Sequence, residues 1–323
     1  MTEELMGTRS FEVVNFSLRP NKSVERKLIS RILNAIGKNS RFDWRDYRYL
    51  GLGSMWFVDF IMMHKSIGIS KLVSIEKEHS RSKRVAFNAP YSCVEVKIGM
   101  STAVIRELPW DQRTIAWLDY DDQLRSYMFD DLNEIIVKSI SGNIVMVSVN
   151  AEAAQLNITE NGVLLDPMTV LKGLVNATYI PTDAEKRLSK NQFPGLIGEI
   201  MFNFMKSSVL STTRDLDFFP LFNFAYSDGA KMVTYGGVIV DADDEKILKS
   251  QSLQSSFEFV AHHGQFEIQV PQLTLKEKLE LDKRMPCAAV PKPEELPFEL
   301  KPSEIEAYRK FYRDYPVYGE FHP

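Results

Sequence analysis

Cysteine is scarce in this chain: only Cys93 and Cys287 occur among 323 residues, and no Cys-x-x-Cys pair is present. That excludes a disulfide framework and a cysteine-rich zinc site, and makes a reducing compartment, the cytoplasm, the expected location. An excess of charge of one sign is also lacking. Lys plus Arg number 39 against 43 Asp plus Glu, a net charge of −4, so no global attraction draws the chain to phosphate backbones or anionic lipid. Long apolar runs are missing too. The most apolar stretches, 55–63 and 196–210, fall short of the ~20 residues of a membrane span. They are broken by Asp59, or by Glu199, Asn203 and Lys206. The first ten residues hold Glu3, Glu4 and Arg9 without the apolar segment of a secretory signal. Gly and Pro, at 16 and 15, are too few for low-complexity tracts. With 44% hydrophobic and 25% charged residues, the composition is that of a globular protein of one large or two modest domains.

The periodicity of what is present points to an α/β fold. Val24, Leu28, Ile29, Ile32, Leu33 and Ile36 recur at helical spacing from Ser23 and stop at Gly37, with Glu25, Lys27 and Arg31 on other faces. From Tyr47 onward short apolar runs alternate with helical stretches. Strands are expected at 48–52, 72–76, 94–98, 114–118 and 143–149, with helices at 55–66, 80–88, 102–108 and 129–140. Such alternation predicts a doubly wound, mostly parallel sheet covered on both faces. Two β-rich runs, 221–226 and 231–240, joined through Ser227-Asp228-Gly229, read as an antiparallel hairpin. The expected organisation is an N-terminal helical segment (1–44), a Rossmann-like core (45–248) with a helical insertion at about 155–215, and a C-terminal extension (249–323). The insertion carries a Thr182-x-x-Glu185 capping signature; the extension carries a strand-like 257–261, Thr274-x-x-Glu277 and Ser303-x-x-Glu306.

In an open parallel sheet, ligands sit beyond the carboxyl ends of the strands. There the sequence places Gly51-Leu52-Gly53-Ser54 after the first strand, Glu76 at the end of the second, Gly99-Met100-Ser101 after the third and Asp119-Tyr120-Asp121-Asp122 after the fourth. Glycines let a ligand approach the backbone, and a carboxylate at the second strand end suits the two hydroxyls of a ribose. A dinucleotide fingerprint needs a third glycine where Trp56 stands, and no GxxxxGK[ST] occurs. A monoadenosyl ligand without phosphates remains.

The order of elements over 45–150, the hairpin near 218–241, and the stretches Tyr49-Leu50-Gly51-Leu52-Gly53-Ser54, Val73-Ser74-Ile75-Glu76-Lys77 and Trp117-Leu118-Asp119-Tyr120-Asp121 resemble the class I S-adenosylmethionine-dependent methyltransferases. More narrowly, they resemble bacterial proteins described as putative O-methyltransferases. The resemblance implies a Rossmann-like methyltransferase fold and S-adenosylmethionine as cofactor. It implies that Gly51, Gly53 and the adjoining Ser54 lie against the methionyl part, Glu76 against the ribose and Ser101 or its neighbours against the adenine edge. Asp119 would take the methionyl amine or the acceptor. Tyr49 stands where the family places an acid and Met55 where it often has a third glycine. Those departures keep a non-catalytic adenosyl-binding sensor or effector subunit, working through a protein partner, as the alternative.

Methyl transfer is an in-line displacement, so the protein chiefly positions the acceptor and removes its proton. Asp119 and Asp121 are the catalytic candidates. An Asp-x-Asp pair on a strand end shares one face and can ligate a divalent cation, but a capping and a solvated Asp are the preferred account of the pattern and no metal is assigned. The expected acceptor is an oxygen of a small or nucleotide-like molecule. A nucleic-acid acceptor is disfavoured by the acidic whole and by Asp-Tyr-Asp where an Asn/Asp-Pro-Pro-Tyr motif would stand. His262 and His263, being adjacent, would face opposite sides of a strand. Tyr308, Phe311, Tyr312 and Tyr315 form a helical stripe expected to pack on the chain's own body.

Overall fold

The computed structural model describes residues 19–77, 79–120, 122–260 and 264–317, with Arg81 described by its backbone alone. Five apolar segments form strands β1 (Arg48–Leu52), β2 (Leu72–Glu76), β3 (Val94–Ile98), β4 (Thr114–Asp119) and β5 (Ile144–Asn150). The hairpin is β6 (Asp217–Ser227) and β7 (Lys231–Val240), and Phe266–Ile268 is a short edge strand, β8. All eight share one sheet in the order β3-β2-β1-β4-β5-β7-β6-β8. β1 to β5 pair in parallel, β7 runs antiparallel to β5 and β6, and β8 pairs parallel with β6. The carboxyl ends of β1–β6 and β8 therefore lie along one edge, together with the hairpin turn, whose Gly229 has φ +114°. Connections leave β1 in one direction and β4 in the other, which opens the crevice between them.

Among the described residues the α-helices of five residues or more are α1 (Pro20–Ile36), α2 (Val58–Met62, continued by a π turn, Met63–Ile67), α3 (Ser82–Asn88), α4 (Ser101–Glu107) and α5 (Ser126–Lys138), then α6 (Pro167–Leu174), α7 (Phe193–Leu210), α8 (Ala242–Ser250), α9 (Leu275–Asp282) and α10 (Pro302–Phe311). Strand alternation sends Tyr49, Trp117 and Met146 to one core and Leu50, Leu118 and Val147 to the other. α1 fills the first core with Val24, Leu28, Ile29, Ile32, Leu33 and Ile36, each burial contributing ~1.5–3 kcal/mol as an upper bound. α4, α5 and α7 fill the second. A small third cluster of Leu281, Leu296, Ile305 and Tyr308 holds α9 to α10.

Several local expectations shift. α1 begins at Pro20, where a missing N–H costs nothing, instead of Ser23. α5 begins at Ser126, which moves Asp131 out of the first turn into a buried position. Thr182-x-x-Glu185 is no capping box, since only a 3-10 turn, Ala184–Arg187, follows it. Thr274 and Glu277 do form one, whereas α10 takes Lys301 as cap and Glu304 as its partner because Pro302 occupies the first helical position. Residues 257–260 form a turn, not a strand: the Phe257 and Phe259 rings pack tilted at 45° to each other and against Arg31, without a ladder partner. The insertion adds a two-residue ladder at 159–160 and 163–164. Its long helix α7 is a core helix, burying Leu196, Ile197, Ile200, Met201 and Phe204. The stripe on α10 packs inward, with Tyr308 donating to Asp282 at 2.6 Å.

Candidate active site

β1 hands over to α2 through a loop that shows why its glycines are there. A Cβ on Gly53 would lie 2.8 Å from the Ile75 carbonyl oxygen and 3.1 Å from Glu76 Oε2. The end of β1 is thus pressed against the end of β2, with the Glu76 carboxylate beside it. Gly51 lies within β1, and a Cβ there would meet the Tyr49 hydroxyl at 2.7 Å. The space left by this glycine is taken by the buried phenol of Tyr49, whose ring packs edge-on to Phe60. Ser54 Oγ accepts from the Trp56 N–H at 3.2 Å, closing a turn that leaves the indole 43% exposed. The loop ends on Phe57, a buried non-glycine residue at φ +47°, a left-handed conformation that the surrounding packing has to hold. α2 then begins with Asp59 in its first turn. The Asp59 carboxylate at the helix start is paired with Arg26.

Ser101 opens α4 and donates to Asp131. Thr102 donates to the same carboxylate, and Tyr120 donates to it at 2.7 Å. Asp131 is fully buried, so three hydroxyls from α4 and the end of β4 replace its water. They lock β4's exit against the loop after β3.

Asp119, the last residue of β4, keeps a quarter of its side chain exposed. Its Oδ1 lies 2.9 Å from Lys22 Nζ. That ammonium, fully buried, is also 2.8 Å from Glu25 Oε2, 3.0 Å from the Tyr226 hydroxyl and 3.5 Å from Ser148 Oγ, and it sits 4.6 Å from the centre of the Trp117 ring. Alongside, Arg26 pairs with Asp59. Burial disfavours every one of these charges. It pulls the Lys22 ammonium down, but Asp119 and Glu25 outweigh it and hold the group above the usual lysine range. Burial pushes the Asp119 carboxyl up, yet Lys22, Arg26 and Arg19 bring it below the usual carboxylate range. Glu25 goes the other way: burial wins over Lys22, and its carboxyl is raised. Its distance to Lys22 is that of an ion pair without hydrogen-bond alignment, and both its oxygens are enclosed.

Next to this network opens a cleft of about 870 Å³, on the same edge of the sheet. Tyr226 and Asn21 form its inner wall, the hairpin turn and the end of β8 its floor, and Asn191 and Pro194 before and within α7 its rim. Gln265, Gln269 and Gln272 add carboxamides. Tyr226 touches Lys22, and Lys22 touches Asp119, so one ammonium group separates cleft and crevice.

Of the residues expected from sequence, Gly53, Glu76 and Asp119 meet the carboxyl edge with side chain or backbone directed to it; Gly51 and Ser54 also serve local packing, and Ser101 holds Asp131. Asp121 and the pair His262 and His263 lie outside the described residues. Among the described residues no group of three His, Cys, Asp or Glu is placed to hold a metal ion. Lys22, Glu25, Arg26 and Tyr226 were not expected. For Arg26 the signal is Asp59, a lone acid in a segment apolar nearly all round, which has to find a cation; Lys22, Glu25 and Tyr226 carry no such mark in the sequence.

A family model described as "Putative O-methyltransferase" matches residues 14–323. A search of curated protein sequences finds no match. Among solved structures, the chain is similar to Trm1 from Pyrococcus horikoshii in complex with S-adenosyl-L-methionine, at 11% identity and TM-score 0.41, covering 75% of this chain and 61% of that one. It is similar to a putative O-methyltransferase from Klebsiella pneumoniae at 11% identity and TM-score 0.38, covering 73% and 83% of the two chains. The O-methyltransferase TomG from Streptomyces achromogenes, solved with S-adenosylmethionine, follows at 16% identity and TM-score 0.36, covering 67% and 79%. The chain thus spans less than two thirds of the Pyrococcus protein's length.

Proposed function

The chain belongs to the putative O-methyltransferase family, which matches it over residues 14–323, and from that premise we propose that it transfers the methyl group of S-adenosylmethionine to an oxygen of a small, polar or nucleotide-like acceptor. The observation that carries this reading is the meeting of Gly53, Glu76 and Asp119 on one sheet edge, beside an 870 Å³ cleft. The residues suit this cofactor: a close backbone approach at Gly53, a carboxylate for ribose hydroxyls at Glu76 and a second for an ammonium at Asp119. When bound, S-adenosylmethionine supplies an electrophilic methyl group on a sulfonium.

The chain's own residues then have three tasks. Glu76 accepts hydrogen bonds from the ribose and fixes the adenosyl half. Asp119, kept ionised, binds the ammonium or orients the acceptor hydroxyl; its lowered pKa makes it a weak base, and Asp121 is the other carboxylate proposed to take the proton. The cleft, rich in carboxamides that both donate and accept, holds the acceptor and excludes water from the line of attack. The cytoplasm remains the proposed location; no helix among the described residues is long and apolar enough to cross a membrane.

One observation favours the second reading, a non-catalytic adenosyl-binding subunit acting through a protein partner: the Tyr49 phenol fills the space over Gly51 that a methionyl group would approach. Formation of S-adenosylhomocysteine with a panel of phenolic and polyhydroxylated acceptors separates the two. For the cofactor assignment, Glu76→Ala should weaken S-adenosylmethionine binding by about 1–3 kcal/mol in calorimetry, the cost of leaving polar groups unpaired. An unchanged affinity removes Glu76 from the ribose site.

A further inference from the structure

We propose that Lys22, on the N-terminal helix, is a positioning residue of the methyl-transfer site, fixing the charge and orientation of Asp119 toward the cofactor's ammonium group. The inference rests on the S-adenosylmethionine reading above, and the experiment is arranged so that the two can fail separately.

Stability alone gives no reason for a lysine here. Burying an ion pair carries a desolvation penalty that well-packed apolar residues avoid, so such pairs often stabilise no more than the hydrophobic groups that could replace them. Lys22 is nonetheless fully buried at the carboxyl end of β4, 2.9 Å from Asp119, with Tyr226, Ser148 and the Trp117 ring completing its surroundings. Its backbone is fixed from outside α1. Asp228 in the hairpin turn accepts from the N–H groups of Asn21 and Lys22 at 3.1 and 2.8 Å, and from Asn21 Nδ2 at 3.0 Å. Asn21 Oδ1 accepts from the N–H of Val270 at 2.9 Å. Three separate segments thus converge to place one ammonium on one oxygen of Asp119, while a quarter of that side chain stays exposed.

The groups facing Asp119 define what happens without Lys22. From α1 and its start come Glu25, Arg26 and Arg19; from β6, Tyr226; from β1, Tyr49; and Asp59 on α2 stands behind Arg26. Arg26 is committed to Asp59, and Glu25 brings a second carboxyl. With Lys22 gone, Asp119 loses its nearest cation and keeps the burial that favours its neutral form, whether or not Glu25 is also replaced. A neutral Asp119 offers an ammonium no counter-charge, so cofactor binding would weaken as pH falls.

The test is calorimetric titration of the full chain with S-adenosylmethionine between pH 5 and pH 8, comparing wild type with Lys22→Met/Glu25→Gln, a pair that removes both charges and leaves no orphaned carboxylate beside Asp119. Taking the ratio of variant to wild-type affinity at each pH cancels the cofactor's own titration. The expected result is a ratio that falls at least ~10-fold from pH 8 to pH 5, as for a carboxyl whose pKa has risen into this range; a purely structural lysine would lower affinity equally at every pH. A ratio constant with pH overturns the proposal and leaves the cofactor reading intact. Wild type that binds no S-adenosylmethionine at any pH overturns both. Should the double variant not give a cooperative melt, Lys22→Gln/Glu25→Gln replaces it, keeping a donor for Asp119 without either charge, and the same slope decides.

Discussion

Glu25 has given up its water on a helix whose polar residues look, from their spacing, like a solvated face. The cation it pairs with, Lys22, is shared with Asp119. A carboxyl raised by burial binds its proton more tightly folded than unfolded, so its contribution to stability is complete below its unfolded pKa, near 4.5, and is lost as pH rises through the folded value. Glu25→Gln, which mimics the protonated form, should therefore raise the melting temperature at pH 8, with the gain shrinking on acidification toward pH 4. A loss of stability at pH 8 would show that the Lys22 pair outweighs burial. Gly53 makes a second case. Gly53→Ala forces a methyl against the Ile75 carbonyl and Glu76, so the variant should melt lower and bind S-adenosylmethionine more weakly, both readable by calorimetry. The placement of Gly53, Glu76 and Asp119 at the strand ends was legible in the sequence because each closes or follows a short apolar run. Lys22 was not, because helical spacing reports which residues are apolar and cannot report which charged residues a neighbouring strand end will cover.

At the level of elements, the five parallel strands followed the sequence closely because each is a short apolar run bounded by polar or glycine residues, whereas 257–260 has the composition of a strand without a ladder partner. Helix starts were less legible. At Pro20 and Pro302 the imino acid takes the first helical position and moves the cap away from the Ser-x-x-Glu or Ser signal downstream. α1 has Arg19 as its N-cap with no side-chain cap of its own, and the hairpin supplies one through Asp228. Asp228→Ala should accordingly cost about 0.5–2 kcal/mol, the range for losing a helix N-cap. Thermal or urea unfolding measures it, and an unchanged midpoint would mean that Asn21 alone holds the helix start.

For the molecule as a whole, the alternation of strands and helices announced the doubly wound sheet, and the Asp-Gly turn announced its antiparallel hairpin. The place of the flanking segments did not show, since a helix on a distant stretch of chain carries no mark of the face it will cover. α1 and α7 complete the two cores, and the C-terminal helices are tied back to α1 through Arg31 to Asp314 at 2.9 Å and Lys27 to the Asp314 carbonyl. Because α9 and α10 have their own small cluster, Asp314→Ala should raise amide hydrogen exchange in residues 275–317 while leaving β1, β4 and β5 protected; a uniform rise would mean that the tail and the sheet unfold as one unit. The central claim is that this sheet edge holds S-adenosylmethionine. Isothermal titration of the wild-type chain with that compound measures it most directly: one saturable site per chain, weakened by Glu76→Ala, is predicted, and no heat with either S-adenosylmethionine or S-adenosylhomocysteine at high protein concentration would contradict it.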